Sequence, residues 1–404
     1  MKYVVLAFLC AIAIISYVQR LGIQTAYLPI QRELVIGTEK FGLIGTAWLI
    51  GYAIMQVPAG WLADRWGSRT ALALYGALWS ILTGLLGLCQ DFWTLLALWF
   101  LMGMAQAGVF PCAAKSIAAW FPDTQKATAS GLLGSVTLLG AAAASLVTTW
   151  LLAVQQWSWQ WIYVVYGSCG VVWAIAYFGL VPERTGPQRM APPMTGAAWA
   201  KLFGSVPMWL ICGQQFFRAG AMIFFLNWFP KFLREARLMD EKEAGLCTTC
   251  VNVAAMLGGI LGGLFSDWLL RRTGNRRLSR QGIAIFGMSS CAVLIVTTLD
   301  FPDNSVAMVL FSVGAFLAAF GGVSGYTVTI EFGGRRVATV FSMMNMSGSF
   351  GASLFNFVAG SVKERTGSWE PALFVFAGIF AVDALCWALL NPRRPLFEES
   401  YEPS

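Results

Sequence analysis

Between residues 3 and 391 the chain is a succession of twelve long apolar runs separated by short polar turns. A helix of ~20 such residues spans the hydrocarbon core of a bilayer. In lipid every backbone N–H and C=O must be satisfied within the protein, which leaves helices or closed barrels, and runs of this length read as helices. Charged residues make up only 12% of the 404 positions, against ~25% for an ordinary soluble domain. A large soluble helical protein would need charged outer faces that this sequence does not supply. The spans read approximately as 3–29, 40–62, 70–89, 93–121, 126–153, 159–181, 205–233, 242–270, 281–299, 305–331, 337–362 and 370–391. Met1-Lys2 and the apolar stretch behind it resemble a signal peptide, but the run is too long and is read as the first span.

The chain also repeats itself. Gly60-Trp61-Leu62-Ala63-Asp64-Arg65-Trp66-Gly67-Ser68-Arg69 follows the second span, and Gly263-Leu264-Phe265-Ser266-Asp267, with Arg271 and Arg272, follows the eighth. Asp64 and Asp267 are 203 positions apart, about half the chain. A repeat at half-length in an apolar chain points to two related six-helix halves. The expected organisation is a bundle over 1–182, a Pro-containing linker over 183–204, a second bundle over 205–391 and a polar tail over 392–404.

The charge distribution bounds function and topology. The net charge of +7 would suggest nucleic acid on a soluble protein. Here the basic residues cluster in short loops, sixteen on the side holding both repeated loops and eight on the other. That excess places the loops and both termini in the cytoplasm of a cell-membrane protein. The sequence has no histidine, which excludes a His proton relay, a His metal site and a Ser-His-Asp triad. The nine cysteines mostly lie inside apolar runs, and Cys247-Thr-Thr-Cys250 reads as two packing residues rather than a metal site. No metal, cofactor or nucleic-acid partner is expected.

In the loops, Gly60 and Gly67 permit close approach and a sharp turn. Asp64 can accept hydrogen bonds from the N-terminus of a neighbouring helix, where N–H groups are unpaired and the dipole is positive. By the repeat, that helix is span eleven, starting near Val337, and Asp267 does the same for span five. Such contacts would latch the halves in one access state, with Arg65, Arg69 and Arg271 beside them. The alternative is that Asp64 and Arg65 merely orient the loop.

Three basic residues fall inside spans: Arg20 in span one, Arg218 in span seven and Lys115 in span four. A charge at membrane depth is expensive and is functional by default. Spans one and seven are equivalent in the repeat, so Arg20 and Arg218 can share a central cavity and grip a carboxylate or phosphate bidentately. Lys115 can alternatively snorkel to the inner interface. Glu331, near Arg335 and Arg336, reads as an interfacial ion pair. Asp383, midway along span twelve, reads equally as a structural group or a proton site. Tyr52, Gln56, Ser135, Asn252, Tyr326, Asn345 and Ser349 are further polar candidates, with Tyr52 and Asn345 preferred; packing hydrogen bonds between helices are the competing reading.

The repeated loop and the twelve spans resemble the major facilitator superfamily over the whole chain. Within it, Tyr17-Val18-Gln19-Arg20, Gln106-Ala107-Gly108-Val109-Phe110-Pro111, Trp120-Phe121-Pro122, Asn227-Trp228-Phe229-Pro230 and Asn345-Met346-Ser347-Gly348 resemble the anion:cation symporter group. That group includes sugar-acid permeases and the vesicular glutamate and sialic acid transporters. The resemblance implies an all-α fold, alternating access around a central site, and Arg20 as the substrate-binding arginine. The group usually has an aspartate at Gln19 and a glutamate at Gln106, and its proton coupling resides there. Glutamine cannot titrate but can still bind substrate.

The expectation is a monomeric secondary transporter of a small organic anion, with Arg20, Arg218, Gln106, Tyr52, Asn345, Gln19 and Lys115 at the substrate site. Proton or sodium is the candidate coupling ion, and Asp383 or Glu331 would replace the missing acids. An organophosphate:phosphate exchanger or an anion uniporter is the alternative. A membrane sensor would want an added soluble domain, and a drug exporter would want embedded acids. No nucleophile–base or metal-ligand constellation points to an enzyme.

Overall fold

The computed structural model describes residues 1–182, 191, 194–391 and 395–397. Most of the linker, with Arg184, Pro187, Arg189, Pro192 and Pro193, and most of the tail, with Arg393 and Arg394, lie outside the described residues. Twelve long helices cross the molecule: α1 Lys2–Thr25, α2 Thr38–Trp66, α3 Ser68–Leu86, α4 Phe92–Trp120, α5 Lys126–Thr149, α6 Trp159–Leu180, α7 Val206–Ala236, α8 Glu241–Thr273, α9 Arg277–Thr297, α10 Asn304–Gly333, α11 Val337–Thr366 and α12 Glu370–Leu389. By length and apolarity these form eleven stretches able to span a bilayer, because Asn304–Thr366 is continuous through a 3-10 turn at Gly334–Arg336. Gly334 has φ of 55°, which reverses the chain there and divides that stretch into α10 and α11.

The boundaries differ from the sequence reading where the chain turns without a polar signal. The first apolar run is interrupted at Ala26, and a short helix Tyr27–Leu34 follows α1. Inside α4 the helix is interrupted at Ala107-Gly108, and α7 contains a π-helical turn over Phe224–Trp228. Side-chain caps start several helices. Asp91 accepts from the backbone N–H groups of Trp93 and Thr94 at the start of α4, and Asp303 does so from Ser305 and Val306 at the start of α10. These two helices occupy equivalent places in the repeat.

Pairing follows the same scheme in both halves. In the first, α1 packs on α5, α2 on α4 and α3 on α6; in the second, α7 packs on α11, α8 on α10 and α9 on α12. The halves meet along α2–α11 and α5–α8, again an equivalent pair. Glycines permit these approaches: a Cβ on Gly60 would lie 2.5 Å from Ala338 O, and one on Gly263 would lie 2.5 Å from Ala127 O. Large apolar side chains cover the outer surface, among them Leu146, Trp161, Ile175, Val293 and Phe357, as a lipid-facing bundle requires.

Candidate functional site

The two repeated loops close one face of the molecule. Asp64, at the end of α2, is 1% exposed and accepts from Ala338 N (3.2 Å), Thr339 N (2.8 Å) and Thr339 Oγ1 (2.7 Å), the first turn of α11. Asp267, at the end of α8, accepts from Ala127 N (3.3 Å), Thr128 N (2.7 Å) and Thr128 Oγ1 (2.7 Å), the first turn of α5. Each carboxylate therefore satisfies unpaired N–H groups and meets the positive end of a helix from the opposite half.

A buried cation holds each aspartate from its own half. Lys115 of α4 lies 3.0 Å from Asp64 Oδ1 and also donates to the Ala63 and Asp64 carbonyls. Arg280 of α9 lies 3.0 Å from Asp267 Oδ1, 3.1 Å from Glu331 Oε1, and donates to Ser266 Oγ and Asp123 O. Arg271 Nη1 crosses to Thr124 O at 3.1 Å. Arg69 donates to Phe178 O and lies over the Phe178 ring, while Arg65 is exposed with its guanidinium over Trp61. Gly67, with φ of 85°, ends α2.

Two readings change here. Lys115 belongs to this closed face and not to the substrate cavity, because Asp64 and the end of α2 surround its ammonium. Glu331 pairs with Arg280 and not with Arg335 or Arg336, because the reversal at Gly334 carries those arginines beyond it. Arg280 itself is 1% exposed, although a run of basic loop residues gives no sign of that.

Between the halves lies a cavity of about 820 Å³. Its lining runs from Gln24, Phe41 and Asn227, on the face away from the repeated loops, to Tyr52, Gly131 and Gly322 deep in the bundle. Arg20, Arg218, Tyr52 and Asn345 all line it, together with Ser135, Tyr326 and Ser349. Arg20 is held by aromatic faces, its guanidinium 4.3 Å from the Tyr17 ring centroid and 4.7 Å from that of Trp48. Trp48 stacks on Tyr52 at 4.9 Å, and Asn345 Nδ2 donates to Tyr52 Oη at 2.9 Å, joining α2 to α11 across the cavity. Arg218 donates to Gln215 Oε1 from Nε (3.3 Å) and Nη2 (2.8 Å). The described lining holds two guanidiniums and no carboxyl group.

The two glutamines stand behind this lining. Gln19 donates to Tyr166 O at 2.6 Å and accepts from Trp79 Nε1, so it faces α3 and α6. Gln106 accepts from Trp48 Nε1 at 3.2 Å and donates to Ser16 O at 3.3 Å, which fixes the ring that holds Arg20. Gln56 is buried without a hydrogen-bond partner among the described residues, and neither it nor Asn252 lines the cavity. Asp383 is fully buried on α12, outside the lining. Tyr17, Trp48 and Gln215 are the cavity residues that the sequence reading missed as partners. Tyr17 and Gln215 each stand one helical turn from an arginine, which is their only sequence signal, and Trp48 has none. No cluster of three or more potential metal ligands occurs among the described residues.

The profile of the Major Facilitator Superfamily matches residues 9–356, and again 239–403. The chain belongs to that superfamily. It is 28% identical to the probable sulfoacetate transporter SauU of Cupriavidus necator, over 97% of this chain and 94% of that one. It is 26% identical to the D-galactonate transporter of Escherichia coli, over 96% and 95%, and 28% identical to the hexuronate transporter of Bacillus subtilis, over 98% and 95%. Among solved structures, the fucose:proton symporter FucP of E. coli superposes with a TM-score of 0.77 at 16% identity, covering 96% of this chain and 99% of that one. The fold is that of the superfamily, and the protein is a multi-pass membrane transporter rather than an enzyme.

Proposed function

We propose that the protein carries a small organic anion across the membrane by alternating access, the halves 1–182 and 205–391 rocking about the central cavity. The carrying observation is the pair of guanidiniums, Arg20 and Arg218, in a cavity whose described lining has no carboxyl group to neutralise them. A carboxylate, sulfonate or phosphate meets that requirement through charge-assisted hydrogen bonds. The names of the relatives, for sulfoacetate, galactonate and hexuronate, support an acid of sugar-like size.

Arg20 receives the anionic group, and Arg218 draws on it from the second half. Tyr52 and Asn345 orient hydroxyl groups, and because they bond across the halves, a substrate between them links binding to closure. The Lys and Arg excess supports a cytoplasmic position for the repeated loops and both termini. The structure then corresponds to an outward-facing state, with the Asp64 and Asp267 contacts latched.

The test is uptake into proteoliposomes of a panel comprising D-galactonate, D-glucarate, a hexuronate, sulfoacetate and a sugar phosphate, for the parent and Arg20→Ala. Uptake of a carboxylate or sulfonate that Arg20→Ala loses supports the reading. A folded Arg20→Ala that transports as well as the parent overturns it. The absence of a carboxyl group from the described lining also favours a second reading, exchange of an organophosphate for phosphate, which requires no titrating acid. Counterflow of labelled phosphate against the sugar phosphate distinguishes it.

A further inference from the structure

Among the described residues, the carboxyl groups buried or half-buried on the long helices are those of Asp64, Asp267, Glu331 and Asp383, and the first three are committed to the closed face. Asp64 and Asp267 cap α11 and α5 and pair with Lys115 and Arg280, and Glu331 shares Arg280. The fourth, Asp383, has 0% exposure, and both of its carboxyl oxygens lack a hydrogen-bond partner among the described residues. The indole N–H of Trp387, one turn further along α12, is the polar group beside this carboxyl, but no hydrogen bond of normal geometry joins the two. An unpaired polar group at this depth is expensive, and an ionisable one within a membrane span marks an ion or proton site by default.

The surroundings of Asp383 define what it can act on. Helix α12 packs against α7, α9 and α11. From α7, Arg218 acts electrostatically on Asp383, and Cys212 is the other titratable group within Val206–Ile223. From α9, Cys291 is the only titratable side chain in Ile283–Thr297, while Arg277 and Arg280 stand at the loop end of the helix and Arg280 is taken by Asp267 and Glu331. On α11 the titratable groups are Lys363, Glu364 and Arg365, at the distant end of the helix. On α12 itself they are Cys386, one turn away, and Glu370 at the start. Arg218 is thus the charged side chain of the packed helices that acts on Asp383, across the α7–α12 contact. That guanidinium also lines the cavity, and its hydrogen-bond acceptor, Gln215, is neutral.

We propose that Asp383 is the proton-coupling group of this transporter and acts through Arg218. The inference rests on the anion reading of the cavity. With Asp383 protonated, Arg218 presents its full charge to the cavity and the anion binds. With Asp383 ionised, its carboxylate competes with the anion for the same guanidinium. Each anion that enters from the outer face thus brings one proton, taken up on Asp383. When the inner face opens, the anion leaves and the proton returns to water. One anion and one proton move in the same direction, with no other bond made or broken. Gln19 and Gln106 cannot serve this purpose, because both are amides engaged in hydrogen bonds behind the lining.

The experiment compares the parent, Asp383→Asn and Asp383→Glu in proteoliposomes, with labelled D-galactonate and sulfoacetate as probes. One proton per anion supports about tenfold accumulation per unit of imposed pH gradient. The expected result is pH-driven accumulation by the parent and Asp383→Glu, with none by Asp383→Asn. Counterflow of labelled against unlabelled anion persists in Asp383→Asn, because the cavity is intact. Pronounced pH-driven accumulation by Asp383→Asn overturns the inference and leaves the anion reading standing. Failure of the parent to exchange these probes and every other anion of the panel overturns both. A variant-independent check is proton uptake when the probe is added to weakly buffered, detergent-solubilised parent, and its absence overturns the inference even if Asp383→Asn does not fold.

Discussion

At the scale of single residues, Arg20 shows how helix geometry sorts neighbours into different roles. Successive residues on an α-helix point ~100° apart, so Arg20 and Gln19 cannot both face the cavity. Arg20 turns to the Tyr17 and Trp48 rings and Gln19 to Tyr166 and Trp79. A lysine at position 20 would keep the charge but lose the planar guanidinium that lies on two rings and grips an oxyanion in a fork. Cation–π contact contributes ~0.5–2 kcal/mol. Arg20→Lys is expected to raise the KM for the transported anion several-fold or more while a maximal rate remains measurable, in contrast to the loss expected for Arg20→Ala. Kinetics of uptake over a range of anion concentrations check this. Arg20 was legible in the sequence because a charge in an apolar run has no bland explanation. Its partners were not, because an aromatic in such a run carries no sign of what it faces. Arg280 was hidden for the opposite reason: it stands among other basic residues, and only the packing of α9 against α8 and α10 distinguishes it.

At the scale of helices, the contact between halves depends on missing side chains. A Cβ on Gly60 would lie 2.1 Å from Ser342 Oγ and 2.5 Å from the backbone oxygen of Ala338. The serine can rotate away, but the carbonyl belongs to the first turn of α11, which Asp64 holds in place. Gly60→Val therefore opposes the α2–α11 approach and disfavours the state in which the loop face is closed. Overpacking of this kind costs ~1–3 kcal/mol, which corresponds to a roughly 5- to 150-fold shift in a two-state equilibrium. With the nine native cysteines replaced, a cysteine at Ser342 is expected to react faster with a membrane-permeant thiol reagent in the Gly60→Val background than without it. An unchanged rate would mean that α2 and α11 approach as closely in every state. The loop glycine was legible from its sequence, whereas the α2–α11 partnership came only from the expectation of pseudo-symmetry.

At the scale of the whole molecule, two latches act on one equilibrium. Asp64 with α11 and Asp267 with α5 share no residue, so their effects on the balance between access states should add in free energy. Each carboxylate at a helix N-terminus contributes up to ~2 kcal/mol in a partly buried setting. Asparagine still accepts a hydrogen bond but has no charge for the helix end or for Lys115 and Arg280. The twofold repeat made both aspartates visible, but the repeat is imperfect where it matters for strength. The first latch is backed by a lysine from α4, and the second by an arginine from α9 that also reaches Glu331 and the Asp123 carbonyl. Asp267→Asn should therefore leave more of its network in place than Asp64→Asn does. The expected order of thiol reactivity at the loop face is Asp64→Asn/Asp267→Asn above Asp64→Asn, and Asp64→Asn above Asp267→Asn. The double variant should show the product of the two single effects. A double variant no more reactive than Asp64→Asn would show that one latch alone sets the closed state, and that the resemblance between the halves does not extend to their energetics.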